Sequence, residues 1–206
     1  MSERIRVAVL ISGRGSNLEA LADYKRQADP YYEIALVASN VPDARGLVLA
    51  RRFALPTWAH GHKGMERAEF DRLLDAEFRR RDIEVIVLAG YMRLLSSEFL
   101  RAWDGRVLNI HPSLLPAYKG LDTHRRALLA GDDHAGCSVH LVTDELDSGP
   151  VLAQACVRIE PRDDPETLAA RVLEAEHELY PRTLDEYCWR MIVERNGGNG
   201  AIDVGT

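Results

Sequence analysis

Asn109-Ile110-His111-Pro112-Ser113 pairs an amide with an imidazole at a two-residue spacing. In extended backbone that spacing sets both side chains on one side, and Pro112 disfavours helical geometry at His111. An amide N–H beside an imidazole suits an oxygen that gains negative charge during acyl transfer. The same spacing also fits an ordinary hydrogen-bonded pair at a strand exit. A second segment, Ser12-Gly13-Arg14-Gly15-Ser16-Asn17-Leu18, follows an apolar run. Its glycines allow a sharp turn that leaves backbone N–H groups at a helix start pointing outward, a phosphate-binding arrangement. It also reads as a plain strand-to-helix turn capped by Ser16. Leu18 stands where a dinucleotide fingerprint needs its third glycine, and no Gly-Lys-Ser/Thr follows. The third segment, Asp144-Glu145-Leu146-Asp147-Ser148-Gly149-Pro150, holds three carboxylates. It reads as a solvated loop, as metal ligands lacking the rest of an EF-hand, or as the source of one carboxylate that orients a histidine and favours its charged form.

These segments need elements to position them. Ile5–Ile11, Ile34–Ser39, Ile83–Ala89 and Arg106–Ile110 read as strands. Between them Ser16–Gln27, Ala44–Phe53 and Met65–Arg81 read as helices. That rhythm predicts an α/β fold with a doubly wound, mostly parallel sheet and helices on both faces. Cys137–Thr143 and Val151–Ile159 partly alternate, which predicts an antiparallel C-terminal portion. Pro165–Tyr180 reads as a helix that Pro181 interrupts, with a second helical stretch to about Glu194. We expect one domain over 1–195, with a phosphate-binding half over about 1–105 and a catalytic half over about 106–195. Residues 196–206 read as a flexible tail.

Composition narrows the function classes. The chain has 206 residues, of which 46% are hydrophobic and 28% charged, with a net charge of −6. That is globular composition without a broad basic face for nucleic acid. No apolar run approaches the roughly 20 residues of a membrane span, and Met1–Arg6 does not read as a signal peptide. The three cysteines lack metal-ligand spacing, so a reducing, cytoplasmic setting and no bound metal are expected. His60 and His62 fall in a loop without obvious metal partners, and His124 and His140 read as either structural or functional.

Together VLISGRGSNLEAL, VLAGYMRLLS, LNIHPSLLPAYKGLDTH and SVHLVTDELDSGPVLAQ resemble the phosphoribosylglycinamide formyltransferase family, in its order and spacing, from about Val7 to Pro181. The resemblance implies transfer of a formyl group from 10-formyltetrahydrofolate, as co-substrate, to the primary amine of glycinamide ribonucleotide, in purine biosynthesis and without a metal. It implies catalytic roles for Asn109, His111 and Asp147. It implies contacts to the substrate phosphate and ribose from Gly13, Gly15, Ser16, Asn17 and Glu176, and to the folate from Met92, Arg93, Leu94, Leu95, Leu100, Val142 and Asp144. Arg14 has no role beyond charge support for a phosphate. Small molecules are the expected partners, for a monomer or homodimer.

Three other readings compete. A 10-formyltetrahydrofolate hydrolase shares the catalytic half, but that family usually carries an N-terminal regulatory domain, and here the first strand begins by Ile5. A methionyl-tRNA formyltransferase calls for a C-terminal domain and a basic face. A non-catalytic nucleotide-binding module needs only the glycine loop.

Overall fold

The computed structural model of the chain describes residues 3–197. The flexible tail expected over 196–206 lies outside these residues, except for Asn196, which closes the last helix, and Gly197.

Seven strands form one sheet in the order β3-β2-β1-β4-β5-β6-β7. They are β1 (Ile5–Ile11), β2 (Tyr32–Ser39), β3 (Thr57–Ala59), β4 (Val85–Leu88), β5 (Val107–His111), β6 (His134–Leu141) and β7 (Val151–Arg158). β1 runs parallel to β2 and β4, β2 to β3, and β4 to β5. β5–β6 and β6–β7 are antiparallel, as the alternation in the C-terminal portion predicts. Strand order reverses between β1 and β4, and such a switch point opens a crevice at the carboxyl ends of the strands. The loop that starts at Ser12 leaves β1 there.

Both sheet faces are covered. In β1, Ile5, Val7, Val9 and Ile11 join a core with α1 (Ser16–Gln27), α2 (Arg45–Arg52) and α6 (Pro165–Arg195). Ala8 and Leu10 point the other way and join a core built on Phe70, Leu74 and Phe78 of α3 (Arg67–Arg80) and Phe99 and Leu100 of α4 (Ser97–Ala102). A continuous apolar run is what a strand buried on both sides requires.

Several features depart from the sequence reading. α6 runs unbroken for 31 residues with Pro181 inside it. A proline removes one helical donor and strains the preceding turn, but Tyr180, Thr183, Leu184 and Cys188 are buried around it, and this packing holds the helix together. Asp164 opens α6 with a reciprocal capping box to Thr167. β3, α4 and α5 (Thr123–Ala130) were not anticipated; they are three, six and eight residues long. The first turn of α1 is preceded by Gly15 in the left-handed region, and no side chain caps it, so Ser16 is the first helical residue and not the cap.

Candidate active site

The NIHP segment forms the end of β5 and its exit, as its alternation predicts. Antiparallel pairing then sets Asn109 directly opposite His140 and His111 opposite Ser138. Side chains opposed across such a pair share a face and touch. Asn109 Nδ2 lies 3.2 Å from His140 Nε2. His140 Nδ1 lies 2.9 Å from the carbonyl oxygen of Leu141 and must donate to it. In the neutral ring Nε2 is then an acceptor that holds the Asn109 amide by one N–H. His140 is buried.

The acidic loop closes over this pair. Asp147 sits at φ 49°, a left-handed conformation that aspartate tolerates better than most residues. One carboxylate oxygen, Oδ2, is 3.4 Å from His111 Nδ1 and accepts the Gly120 N–H at 2.9 Å. The other, Oδ1, is 3.6 Å from His140 Nε2. Burial alone would raise the Asp147 carboxyl, but the Gly120 N–H and the protonated forms of the two imidazoles, His140 then donating from Nε2, outweigh it. The net result holds the group below its ordinary 3.8. His111, also buried, directs Nε2 at the Tyr118 carbonyl, 3.1 Å away, so that nitrogen carries a proton. Lys119 ties the two loops further by bonding Ser148 Oγ and lying 3.6 Å from Glu145. His124 approaches His111 from behind; burial first, then the charge of His111, lowers its ring below the ordinary 6.5.

A cleft of about 180 Å³ opens beside these groups. Asn109, His140 and Asp147 line it together with Arg93, Leu94, Leu95, Leu100, Val142 and Asp144. Arg67, Tyr91, Ser97, Thr143 and Leu146 line it too, although nothing in the sequence singles them out. The Tyr91 hydroxyl and the Arg93 Nε are buried without a hydrogen-bond partner. A ligand with an apolar ring and polar edges suits such a lining. The Met92 side chain is 77% exposed and is not among the lining residues; only its backbone N–H is engaged, on Ser12 Oγ at 2.8 Å. His111 is not a lining residue either, because it lies behind Asp147.

The glycine loop stands at the switch point. Gly15 takes φ 85°, and a Cβ there would meet Gly46 Cα at 2.8 Å, so backbone packs on backbone. The Gly46 N–H donates to the Gly13 carbonyl at 2.9 Å, which pins the loop to α2. Ser16 and Asn17 begin α1. Asn17 Nδ2 donates to Glu176 Oε2 at 2.8 Å, while Asn17 Oδ1 is buried without a partner. Both residues are buried, and burial pushes the Glu176 carboxyl above its ordinary 4.5 against the smaller pull of Asn17. One helical turn along α6, the buried Tyr180 hydroxyl lies 3.0 Å from the carbonyls of both Leu88 and Leu108 and shares its one hydrogen between them, fixing α6 to β4 and β5.

The structure thus brings Asn109, His111 and Asp147 together and adds His140, whose only sequence signal is a position fixed by strand register. Among the described residues no group of three or more His, Cys, Asp or Glu is arranged to hold a metal, and no helix is long and apolar enough to cross a membrane.

A family model for formyl transferase matches residues 5–184. Phosphoribosylglycinamide formyltransferase of Escherichia coli K12 is 46% identical over 178 residues, covering 86% of this chain and 84% of that one. The trifunctional purine biosynthetic protein adenosine-3 of Gallus gallus is 44% identical over 184 residues, but the chain spans only 18% of its length. The crystal structure of phosphoribosylglycinamide formyltransferase from Brucella melitensis superposes with a TM-score of 0.86 at 46% identity, covering 90% of this chain and 96% of that one. The chain belongs to the formyl transferase family, in its phosphoribosylglycinamide formyltransferase group.

Proposed function

We propose that the protein transfers the formyl group of 10-formyltetrahydrofolate to the primary amine of glycinamide ribonucleotide. The products are formylglycinamide ribonucleotide and tetrahydrofolate, in purine biosynthesis. The folate supplies the activated formyl carbon; the protein supplies position and charge. The observation that carries this reading is the meeting of Asp147 with His111 and His140 beside Asn109, at a cleft lined by both apolar and polar side chains. The group and coverage of the relatives support it.

In this reading the Gly13–Asn17 loop receives the phosphate on its backbone N–H groups, and Glu176 meets the ribose. Leu95, Leu100 and Val142 sandwich the pterin, while Arg93, Leu94 and Asp144 border it. Asn109, held by His140 through one amide N–H, turns its second N–H to the formyl oxygen as negative charge develops there. His111 donates to the same oxygen by exchanging the Tyr118 carbonyl for it as the acceptor of its Nε2 proton. Asp147 holds His111 in orientation, and a water beside this carboxylate takes the amine proton towards the folate nitrogen. Bringing two bound substrates into contact supplies much of the rate.

A phosphate-binding half over about 1–105 and a catalytic half over about 106–195 belong to the same proposal, as does assembly as a monomer or homodimer. Cytoplasmic residence does too, and three free cysteines support it. A formyl-transfer assay with purified protein tests the reading. Formylated ribonucleotide appearing only when both substrates are present is the expected result. Formate released without any ribonucleotide product would replace it with a hydrolase.

A further inference from the structure

We propose that Ser12 is a positioning residue that couples the phosphate loop to the wall of the folate cleft. The inference rests on the proposed function and goes beyond it by joining its two substrate subsites. Ser12 lies at the end of β1, one residue ahead of Gly13, and makes three bonds in two directions. Its backbone N–H donates to the Gly90 carbonyl at 3.1 Å. Its Oγ accepts the Met92 N–H at 2.8 Å and donates to Asn40 Oδ1 at 2.7 Å. Gly90 and Met92 flank Tyr91, whose ring lines the cleft beside Arg93, Leu94 and Leu95. Ser12 therefore brackets the start of this wall from both sides.

The far end of the relay is fixed. Asn40 follows β2 and is 2% exposed. Its backbone carbonyl accepts a bond from His62 Nδ1 at 2.8 Å, so the amide is anchored to the segment after β3. Next to Ser12, the Gly13 carbonyl is bonded to Gly46 of α2. A shift of the phosphate loop thus moves Oγ relative to a buried, hydrogen-bonded Asn40 and a tethered Met92. One hydroxyl that donates once and accepts once cannot keep both bonds through such a shift. Ordering either subsite orders the other, which makes the two binding free energies interdependent. The relay is a contiguous set of bonds rather than mere proximity, and its coupling is directly measurable.

The test uses glycinamide ribonucleotide and tetrahydrofolate, which bind together without a formyl group to transfer. Calorimetry gives the folate dissociation constant with and without saturating ribonucleotide. In the unaltered protein the ribonucleotide should tighten folate binding about fivefold or more. In Ser12→Ala that ratio should fall to about one. Ser12→Thr keeps the hydroxyl and should restore the ratio, an outcome that loss of packing alone would not give. Thermal melts establish that each variant is folded. An unchanged ratio in folded Ser12→Ala, or a ratio of one in the unaltered protein, overturns the coupling while leaving the proposed function in place. Failure of either ligand to bind the unaltered protein overturns both.

Discussion

Asp147 and Glu176 are both carboxylates with under a tenth of their surface exposed, yet their surroundings drive them in opposite directions. Around Asp147 stand two imidazoles and the Gly120 N–H, and together they override the burial penalty. Glu176 faces one amide N–H, from Asn17, and burial prevails. More donors in a shallower setting leave Asp147 lowered, and one donor in a deeper setting leaves Glu176 raised. In the proposed reaction the acyl-transfer end holds a carboxylate that keeps its charge more readily than usual, and the sugar end holds a carboxyl that keeps its proton more readily than usual.

The contrast breaks most visibly in catalysis. Asp147→Asn keeps the shape and removes the charge, and turnover should fall about 10²–10⁴-fold. Steady-state rates with near-ultraviolet circular dichroism check this, and near-normal turnover in a folded variant removes Asp147 from the mechanism. Asn109→Ala and His111→Ala should each cost about 10²–10³-fold in kcat, the usual effect of losing one donor to a developing oxyanion. At the proposed sugar end, Glu176→Gln should raise KM for the ribonucleotide about tenfold, as loss of a buried hydrogen-bond partner does, and leave KM for the folate nearly unchanged. Equal changes in both constants would detach Glu176 from the ribose. Gly15→Val puts a side chain on backbone only 2.8 Å away at a positive φ. It should also raise KM for the ribonucleotide more than for the folate, with a stability loss of about 1–3 kcal/mol seen in thermal melts.

The smallest effect, and the sharpest on the comparison itself, is in titration. Carboxyl NMR should find Asp147 titrating below 3.8 and Glu176 above 4.5. The stability contributed by ionised Asp147 is present above pH 3.8 and is lost as pH falls through its lowered folded value. That contributed by neutral Glu176 is complete below pH 4.5 and is lost as pH rises through its elevated folded value. Coincident midpoints at ordinary values would erase the distinction between the two ends.

Much of this arrangement is legible in the sequence where chemistry is local. Ile5–Ile11 followed by two glycines announces a buried strand and a sharp turn into a helix, and the Asn109–His111 spacing requires only that the backbone be extended. Long-range placement is a different matter. His140 reaches Asn109 because β6 pairs with β5 in one register, and alternation within a strand says nothing about which residue it will oppose. Arg67 and Tyr91 line the cleft through the packing of α3 and the segment after β4, which neither neighbourhood encodes. Pro181 misleads for a related reason: its local preference for ending a helix yields to burial on either side. β3 and α4 are too short to show a period of their own.

Tyr180 and Glu176 share one face of α6 four residues apart, so the element that braces β4 and β5 also carries the sugar-facing carboxylate. α6 comes late in the chain. During synthesis a polypeptide emerging from the ribosome holds Asn109, His111 and Asp147 well before it holds Glu176 or the hydroxyl that steadies the strands beneath them. In the proposed reaction, recognition of the acceptor is therefore completed last, and an unfinished molecule contains the groups proposed for the chemistry without the carboxylate proposed to meet the ribose.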